Sequence, residues 1–370
     1  MKKLFETYDL SRRELRNRFV MAPMTRARRP DCVANEETAT YYRQRASAGL
    51  IVSEGSFVSP EAQGYIQVPG MWTAEQVAGW KLVTEAVHDA GGTMFAQLWH
   101  VGRISHASFQ PDGQAPVSSS SQPVDDPRFK VFAYKDDGSQ GRIDPSPPRA
   151  LETDEVARVA ADFAAAAGNA VAAGFDGVEL HAANNYLFEQ FLNPAINDRC
   201  DRYGGSAENR ARFVLETIDA VIAEIGADRL GTRFSPYNQD PDKQDTGWVE
   251  ETYHYLADQL AARKIAYVHF NDSWTTGEPA LDDAFLKTFR THFPGTIILA
   301  GRMTFDRAEQ LVREGLIDLP AFGQLYIANP DLVERYRDDV VVVKPDSDTF
   351  YGGGSKGYTD YPRAVDQPSS

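Results

Sequence analysis

The sequence predicts a (β/α)8 barrel, and three observations lead to this fold class. Eight short apolar segments have the length and composition of β-strands, helix-like segments separate them, and this alternation runs through most of the 370 residues. Strands that alternate with helices pair in parallel, and eight of them are enough to close a barrel. A doubly wound open sheet is the alternative, because periodicity alone does not show that the first and last strands pair.

The strand candidates are apolar runs that end in turn-forming or polar residues. In chain order they are residues 18–24, 50–58, 93–100, 177–183, 230–236, 267–272, 296–303 and 319–327. Parallel strands in a barrel are buried on both faces, so each run is nearly continuous in apolar residues.

Capping residues predict where several of the helices begin and end. The segment from Thr73 to Gln76 has the pattern of a capping box, and the glycines at positions 91 and 92 would stop the helix that it starts. Further helix starts are predicted at Ser206, Thr304 and Asn329, the last because proline follows it.

Three segments lie outside the repeat, and all belong to one predicted domain of residues 1–370. Residues 1–17 precede the first strand and are expected to cap the bottom of the barrel. Residues 101–149 are rich in Pro, Ser and Asp and are too long for a simple connection, so we expect an excursion over the active face. The tail, residues 338–370, contains a glycine-rich loop that fits no phosphate-binding motif.

Composition and charge exclude several classes of function. The net charge of −15 gives no basic surface for nucleic acid. No apolar run approaches the length that spans a membrane, and the charged N-terminal segment does not have the pattern of a signal peptide. Two cysteines, Cys32 and Cys200, give no disulfide framework and suit a reducing compartment, so a cytoplasmic location is expected.

The segment 176–186 carries the most chemical information. An apolar run ends there and is followed within a few residues by His181, Asn184 and Tyr186. In α/β folds reactive groups collect where strands end. Three hydrogen-bond donors at one strand end can hold an electron-withdrawing oxygen and deliver a proton beside it, which favours a reduction or isomerisation site over a hydrolytic one.

Motifs along nearly the whole chain resemble the Old Yellow Enzyme family of FMN-dependent ene-reductases, most of all bacterial members such as the N-ethylmaleimide, pentaerythritol tetranitrate and morphinone reductases. The matching segments are residues 17–25, 41–50, 96–103, 202–210 and 350–354, together with the segment 176–186. The resemblance implies a (β/α)8 barrel that binds FMN without a covalent bond and takes hydride from NADPH or NADH.

The resemblance also implies which residues contact the flavin ring. The ring would be lined by the backbone around Pro23, Met24, Thr25 and Gly55. Gln97 would give and accept hydrogen bonds at the pyrimidine edge. Arg233 would face N1 and O2, where a positive charge stabilises the reduced ring.

The phosphate end departs from the family pattern. Barrel phosphates are usually held after strands seven and eight, which here carry Gly301, Arg302, Gly323 and Gln324. Relatives normally have arginine where this chain has Gln324, and a small residue at position 302. We therefore expect Arg302 to contact the phosphate from the opposite turn and to restore the missing charge.

For the substrate, the resemblance implies a clamp, a proton donor and aromatic walls. His181 and Asn184 would hold the carbonyl or nitro oxygen, and Tyr186 would protonate the α-carbon, with hydrogen bonds making its phenol acidic enough to act. The aromatic walls would be Tyr65, Trp99, Trp274 and Tyr351.

The function that follows is ping-pong reduction of an activated alkene, such as an enone, enal, maleimide or nitroalkene, with nitrate esters as side substrates. A flavin-binding sensor with little turnover is one alternative. A metal-dependent hydrolase using His100, His106 and His181 is another, disfavoured because the histidines lack metal-binding spacing. The sequence leaves open the natural substrate, the choice of nicotinamide and whether the protein is a monomer or a homodimer.

Overall fold

Eight parallel strands close into a barrel in the part of the chain that the computed structural model describes, residues 2–127, 129–135, 137–237, 247–272 and 281–364. We number them β1 (Val20–Met21), β2 (Leu50–Phe57), β3 (Met94–Trp99), β4 (Gly177–Ala182), β5 (Leu230–Phe234), β6 (Tyr267–Asn271), β7 (Thr296–Ala300) and β8 (Leu319–Phe322). Because Ala321 and Phe322 of β8 pair with Val20 and Met21 of β1, the sheet is closed. The predicted (β/α)8 barrel is confirmed, and the open-sheet alternative is wrong.

Strand positions agree with the sequence prediction, but several ends do not. β1 stops at Met21, and β7 stops at Ala300 although the predicted strand continues to Met303. The largest error is after β8, where the predicted strand includes a helix, Gln324–Ala328. A short apolar run does not distinguish a buried strand from a buried helix, which explains this error.

Helices surround the barrel and follow most of its strands. Within the described residues they are α1 (Glu36–Arg43), α2 (Ala74–Asp89), α3 (Glu155–Ala172), α4 (Leu187–Leu192), α5 (Ala207–Ile225), α6 (Gly247–Arg263), α7 (Asp283–His292), α8 (Phe305–Arg313), α9 (Gln324–Ala328) and α10 (Leu332–Arg337). None of these helices is both long and apolar enough to cross a membrane.

Three of the four predicted helix starts are confirmed. The capping box of Thr73 and Gln76 is present, and the side chains of Ser206 and Thr304 accept the backbone N–H groups that start α5 and α8. The start at Asn329 is wrong, because this residue ends α9 and the next helix begins at Leu332. The Asn329 amide instead joins the tail, donating to the backbone oxygen of Val343.

The first residues of the chain cover the N-terminal end of the barrel. Tyr8–Leu10 and Arg13–Leu15 form an antiparallel hairpin. Leu10 and Leu15 are buried and pack in one cluster with side chains from inside the barrel, including Leu50 of β2 and Phe95 of β3. Burial of each leucine side chain stabilises the fold by about 1.5–3 kcal/mol, so the hairpin is held firmly against the end of the barrel. The hairpin therefore closes this end of the barrel among the described residues, and the opposite end, where the strands finish, stays accessible.

The excursion of residues 101–149 contains two small sheets. Val117–Ser118 pairs with Arg149–Ala150, and Val131–Tyr134 forms a hairpin with Gln140–Ile143. The second sheet lies against the segment after β2, because the backbone N–H of Ile66 donates to the oxygen of Phe132. The excursion thus lies beside Tyr65, at the rim of the end where the strands finish.

Candidate active site

A cavity of about 590 Å³ opens at the carboxyl ends of the barrel strands. Its volume is within the range of about 300–1,000 Å³ that is usual for small-molecule sites. Fourteen of the residues predicted from sequence line it: Pro23, Met24, Thr25, Gln97, Trp99, His181, Asn184, Tyr186, Arg233, Gly301, Arg302, Gly323, Gln324 and Tyr351. Trp274 lies outside the described residues, and Gly55 and Tyr65 are not among the lining residues.

Gly55 supports the cavity wall from behind. It occupies an irregular register between β2 and β3. A Cβ atom at this position would lie 2.6 Å from the indole ring of Trp99 and 3.3 Å from Oε1 of Gln97. Glycine therefore lets both side chains pack close to β2, so Gly55 shapes the cavity through them instead of lining it.

Gln97 presents its side-chain amide to the cavity. Its Nε2 donates one hydrogen to Oε1 of Glu179 at 2.8 Å. A carboxylate can only accept, which fixes the orientation of the amide. Nε2 carries a second hydrogen, so the expectation that Gln97 both gives and accepts hydrogen bonds in the site stays a prediction.

Arg233 brings a buried positive charge to the cavity. It lies near the end of β5 and is 6% exposed. Its Nε is buried and has no hydrogen-bond partner among the described residues. Burial lowers the pKa of the guanidinium, while the nearby Glu179 raises it. The guanidinium lines the cavity and makes no hydrogen bond to a described residue, so its terminal N–H groups are available to a ligand.

His181 is a neutral imidazole at the end of β4. Burial, together with the charge of Arg233 and the ring of His269, lowers its pKa well below the ordinary value. Its Nδ1 is buried and without a partner among the described residues. At neutral pH the ring therefore offers one N–H donor and carries no charge.

Asn184 is held as a donor by its neighbours. It and Asn185 both have φ of 61°, a left-handed conformation that asparagine tolerates better than most residues. The side-chain oxygen of Asn184 accepts from Nδ2 of Asn271 at 2.7 Å, which leaves its own NH₂ group for the cavity. Asn271 was missed in the sequence, although it ends a predicted strand.

A buried hydrogen-bond chain fixes the backbone of this turn. The hydroxyl of Ser235 accepts from the N–H of Asn184 at 2.7 Å and donates to Glu189 at 2.8 Å, and Glu189 also accepts the N–H of Asn185 at 2.9 Å. Burial raises the pKa of Glu189 to about 8, although both hydrogen bonds lower it. The two left-handed residues are thus held by partners that lie behind the cavity wall.

Tyr186 follows the clamp and faces the aromatic wall. Its ring meets that of Trp99 edge to face at 4.9 Å, and its hydroxyl lies 3.3 Å from that of Tyr65. Burial, with the phenol of Tyr65, raises its pKa well above the ordinary value. The expectation of an acidified phenol is therefore wrong: Tyr186 holds its proton firmly at neutral pH.

The turns after β7 and β8 form the far end of the cavity. Gly301 has φ of 120° and packs so closely on the backbone of Asp272 that a Cβ atom would lie 2.6 Å from its carbonyl carbon. Arg302 and Gln324 are both exposed and line the same cavity. Arg302 has no hydrogen bond or ion pair with any described residue, so its charge is available to a ligand.

The tail supplies one rim of the cavity through Phe350 and Tyr351. Buried Arg26 anchors it, donating from Nε to the backbone oxygen of Phe350 at 3.0 Å and from Nη2 to that of Gly357 at 2.8 Å. Phe350 was missed in the sequence, where only its neighbour was assigned. Tyr351 is 54% exposed, so it lies at the mouth of the cavity.

Neutral donors and a buried charge that line the same cavity suit chemistry in which charge develops on a bound ligand. Within the described ranges, no three His, Cys, Asp or Glu side chains are grouped to hold a metal ion. His100 instead pairs with Glu61 at 3.7 Å.

Known proteins resemble this chain over nearly its whole length. The model of the NADH:flavin oxidoreductase / NADH oxidase family matches residues 3–341. The 12-oxophytodienoate reductase 1 of Oryza sativa subsp. japonica is 42% identical over 97% of this chain and 92% of its own length. The 12-oxophytodienoate reductase 2 of Arabidopsis thaliana is 41% identical over 97% of this chain and 95% of its own length.

Solved structures of known proteins have the same fold as this chain. Morphinone reductase, in a complex with tetrahydroNAD, superposes with a TM-score of 0.92 at 45% identity, covering 97% of both chains. An Old Yellow Enzyme homologue from Zymomonas mobilis superposes with a TM-score of 0.90 at 36% identity, covering 97% of this chain and 99% of that one. The chain therefore belongs to the NADH:flavin oxidoreductase family, within the Old Yellow Enzyme group, and is an NAD(P)H-dependent enzyme with FMN as its cofactor.

Proposed function

We propose that the enzyme reduces the C=C bond of activated alkenes, namely enones, enals, maleimides and nitroalkenes, with nitrate esters as secondary substrates. The supporting observation is the clamp of two neutral donors, His181 and Asn184, with the protonated Tyr186 beside it. When bound, FMN supplies hydride transfer from NAD(P)H to the alkene, and the two substrates use the same cavity in turn.

The residues of the cavity fit FMN. The carbonyl oxygen of Gln97 would accept a ring N–H, and the terminal N–H groups of Arg233 would donate to a ring oxygen or nitrogen at the same edge. Pro23, Met24 and Thr25 provide an uncharged wall directly after β1. A site with an N–H acceptor next to a cationic donor matches the pyrimidine edge of a flavin.

The phosphate of FMN is proposed to lie at the far end of the cavity, between Arg302 and Gln324. Both line the cavity, and Arg302 has its charge free of any described partner. A charge-assisted hydrogen bond is worth about 1.5–3 kcal/mol, which is more than a neutral glutamine amide offers. Arg302 is thus the main phosphate ligand, and Gln324 supports it.

The clamp acts on the electron-withdrawing oxygen of the alkene. As hydride adds to the β-carbon, negative charge grows on that oxygen, so the N–H groups of His181 and Asn184 bind the transition state more tightly than the substrate. Because neither donor is charged at neutral pH, the clamp works over a broad pH range.

Tyr186 completes the reaction by protonating the α-carbon. A phenol with a raised pKa is a weak acid, but a carbanion-like carbon is a far stronger base, so proton transfer remains downhill. The hydroxyl of Tyr65, 3.3 Å away, can donate to the phenolate that is left. Trp99 forms the aromatic wall behind both rings, and Tyr351 closes the mouth.

The test is steady-state oxidation of NADH and NADPH by the FMN-loaded protein, with and without 2-cyclohexenone. We expect consumption of nicotinamide to depend on the enone under anaerobic conditions, with cyclohexanone as the product. A yellow protein that does not reduce the enone would overturn the proposal and favour a flavin-binding sensor. A protein that stays colourless with added FMN would overturn the cofactor assignment as well.

A further inference from the structure

A carboxylate lies buried beneath the cavity, where the proposed reaction does not use it. Glu179 is in β4, inside the barrel, and is completely buried. It accepts from Nε2 of Gln97 on β3 at 2.8 Å and from Nδ1 of His269 on β6 at 2.8 Å. A buried carboxylate is costly unless it is paired and hydrogen-bonded, so this one calls for an explanation.

The ring of His269 does not neutralise this carboxylate. Its Nδ1–H already donates to Glu179, so a second proton would have to bind Nε2, which is buried and has no acceptor among the described residues. Burial and the charge of Arg233 lower the pKa of His269, although Glu179 raises it. Glu179 itself is ionised: burial raises its pKa, but His269, Arg233 and Gln97 together lower it below the ordinary value.

The positive charge that balances Glu179 is therefore Arg233. The two are on neighbouring strands, β4 and β5, and Glu179 and the guanidinium act on each other's pKa values. In a buried site with a low effective dielectric constant, two such charges interact strongly without direct contact. The net charge beneath the proposed pyrimidine edge is then close to zero instead of +1.

We propose that Glu179 is a positioning residue that orients the amide of Gln97 and offsets the charge of Arg233, and thereby lowers the reduction potential of the bound flavin. Reduced flavin carries more negative charge than oxidised flavin, so a carboxylate nearby disfavours the reduced form. The inference rests on the FMN placement given under the proposed function.

The test is the midpoint potential of bound FMN in Glu179→Gln, measured by reductive titration against reference dyes. Removing the negative charge should favour reduced FMN, with the ratio of affinities for reduced and oxidised FMN rising at least tenfold. For a two-electron couple this corresponds to a rise of about 30 mV. An unchanged or lower potential would overturn the charge effect.

Glu189→Gln is the matched control. The substitution is the same, in another completely buried carboxyl group of the same barrel. Glu189 has a pKa of about 8, so it is largely protonated at pH 7 and the change to glutamine removes little charge. The midpoint potential of FMN bound to Glu189→Gln should equal that of the wild type. A shift as large as that in Glu179→Gln would show that any buried substitution perturbs the flavin.

Two further variants keep the inference falsifiable if Glu179→Gln does not fold. Glu179→Asp keeps the charge but draws it back from Gln97, so oxidised FMN should bind more weakly while the potential stays near that of the wild type. His269→Gln exchanges one neutral group for another and should leave the potential unchanged. If Glu179→Asp binds oxidised FMN as tightly as the wild type, the positioning role is refuted. If His269→Gln lowers the midpoint potential, the imidazole, and not Arg233, carries the charge that balances Glu179.

The outcomes separate this inference from the proposed function. A wild-type protein that binds no FMN refutes the placement of the cofactor itself. A yellow wild type that reduces 2-cyclohexenone, but whose potential does not respond to Glu179→Gln, refutes only the role of Glu179.

Discussion

Two groups of residues in the cavity differ in how they handle charge. In the charged group, Arg233 and Glu179 are buried with opposite charges, and Gln97 is fixed between the carboxylate and the cavity. In the neutral group, His181 is uncharged although it pairs with Arg233 in the sheet, and Tyr186 keeps its proton. The comparison supports the proposed division of work, in which the charged group sets the electrostatic environment of the cofactor and the neutral group binds the substrate oxygen and supplies a proton.

The largest expected effect is in the neutral group. Tyr186→Phe should slow the oxidation of reduced enzyme by 2-cyclohexenone by about 10²–10⁴-fold, because general acid catalysis is lost. Reduction by NAD(P)H needs no proton from Tyr186 and should change little. Anaerobic stopped-flow absorbance of the flavin measures both half-reactions.

Tyr65→Phe is the control for this prediction. It removes the hydroxyl that contacts Tyr186 but leaves the proposed donor in place. Its effect on the oxidative half-reaction should be below about tenfold, the lower end of what general acid catalysis gives being about 10². Equal losses in Tyr65→Phe and Tyr186→Phe would contradict the assignment of Tyr186 as the donor.

Asn184→Ala should have the next largest effect. Removing one donor that meets a developing negative charge costs about 10²–10³-fold in rate. Asn271→Ala removes the amide that orients Asn184 but keeps the Asn184 donor itself, so it should cost less.

In the wild type, kcat/KM for the enone should stay flat from pH 6 to 8, since His181 is neutral throughout. A titration near pH 6.5 that disappears in a His181 variant would show instead that the imidazole ionises.

Arg302→Ala tests the far end of the cavity. The loss of a charge-assisted hydrogen bond of about 1.5–3 kcal/mol weakens FMN binding roughly 10- to 100-fold. Arg302→Lys should keep most of the affinity, and adding Gln324→Arg to the alanine variant should restore it. Fluorescence titration of apoprotein with FMN gives the dissociation constants, and an alanine variant that binds FMN as tightly as the wild type would eliminate Arg302 as the phosphate ligand.

Much of the fold and of the cavity lining could be predicted from sequence. Eight apolar runs predicted the barrel. Polar residues at the ends of these runs, such as His181 and Arg233, predicted where the site lies. The partners behind the lining could not be predicted, because Glu179 and Ser235 act through contacts between strands that are distant in sequence. For the same reason the sequence analysis did not predict the raised pKa of Tyr186, which depends on burial and on Tyr65, a partner far along the chain.

A separate effect concerns stability, through Glu189. Its pKa is raised to about 8 in the folded state, so between about pH 4.5 and 8 the folded protein holds a proton that the unfolded chain has lost. Stability therefore falls as pH rises through this window, by at most about 1.4 kcal/mol per pH unit from this group. Glu189→Gln lacks this pH-dependent contribution. Its Tm should therefore rise relative to that of the wild type as the pH increases from 5 to 8. A difference that is constant with pH would contradict a raised pKa.

The most direct test of the division of work is the midpoint potential of bound FMN in Arg233→Gln and Tyr186→Phe. Removing the cation should disfavour reduced FMN at least tenfold relative to oxidised FMN, which is a fall of about 30 mV for a two-electron couple. Tyr186→Phe should leave the potential at the wild-type value. Equal shifts in the two variants, or no shift in Arg233→Gln, would contradict the account.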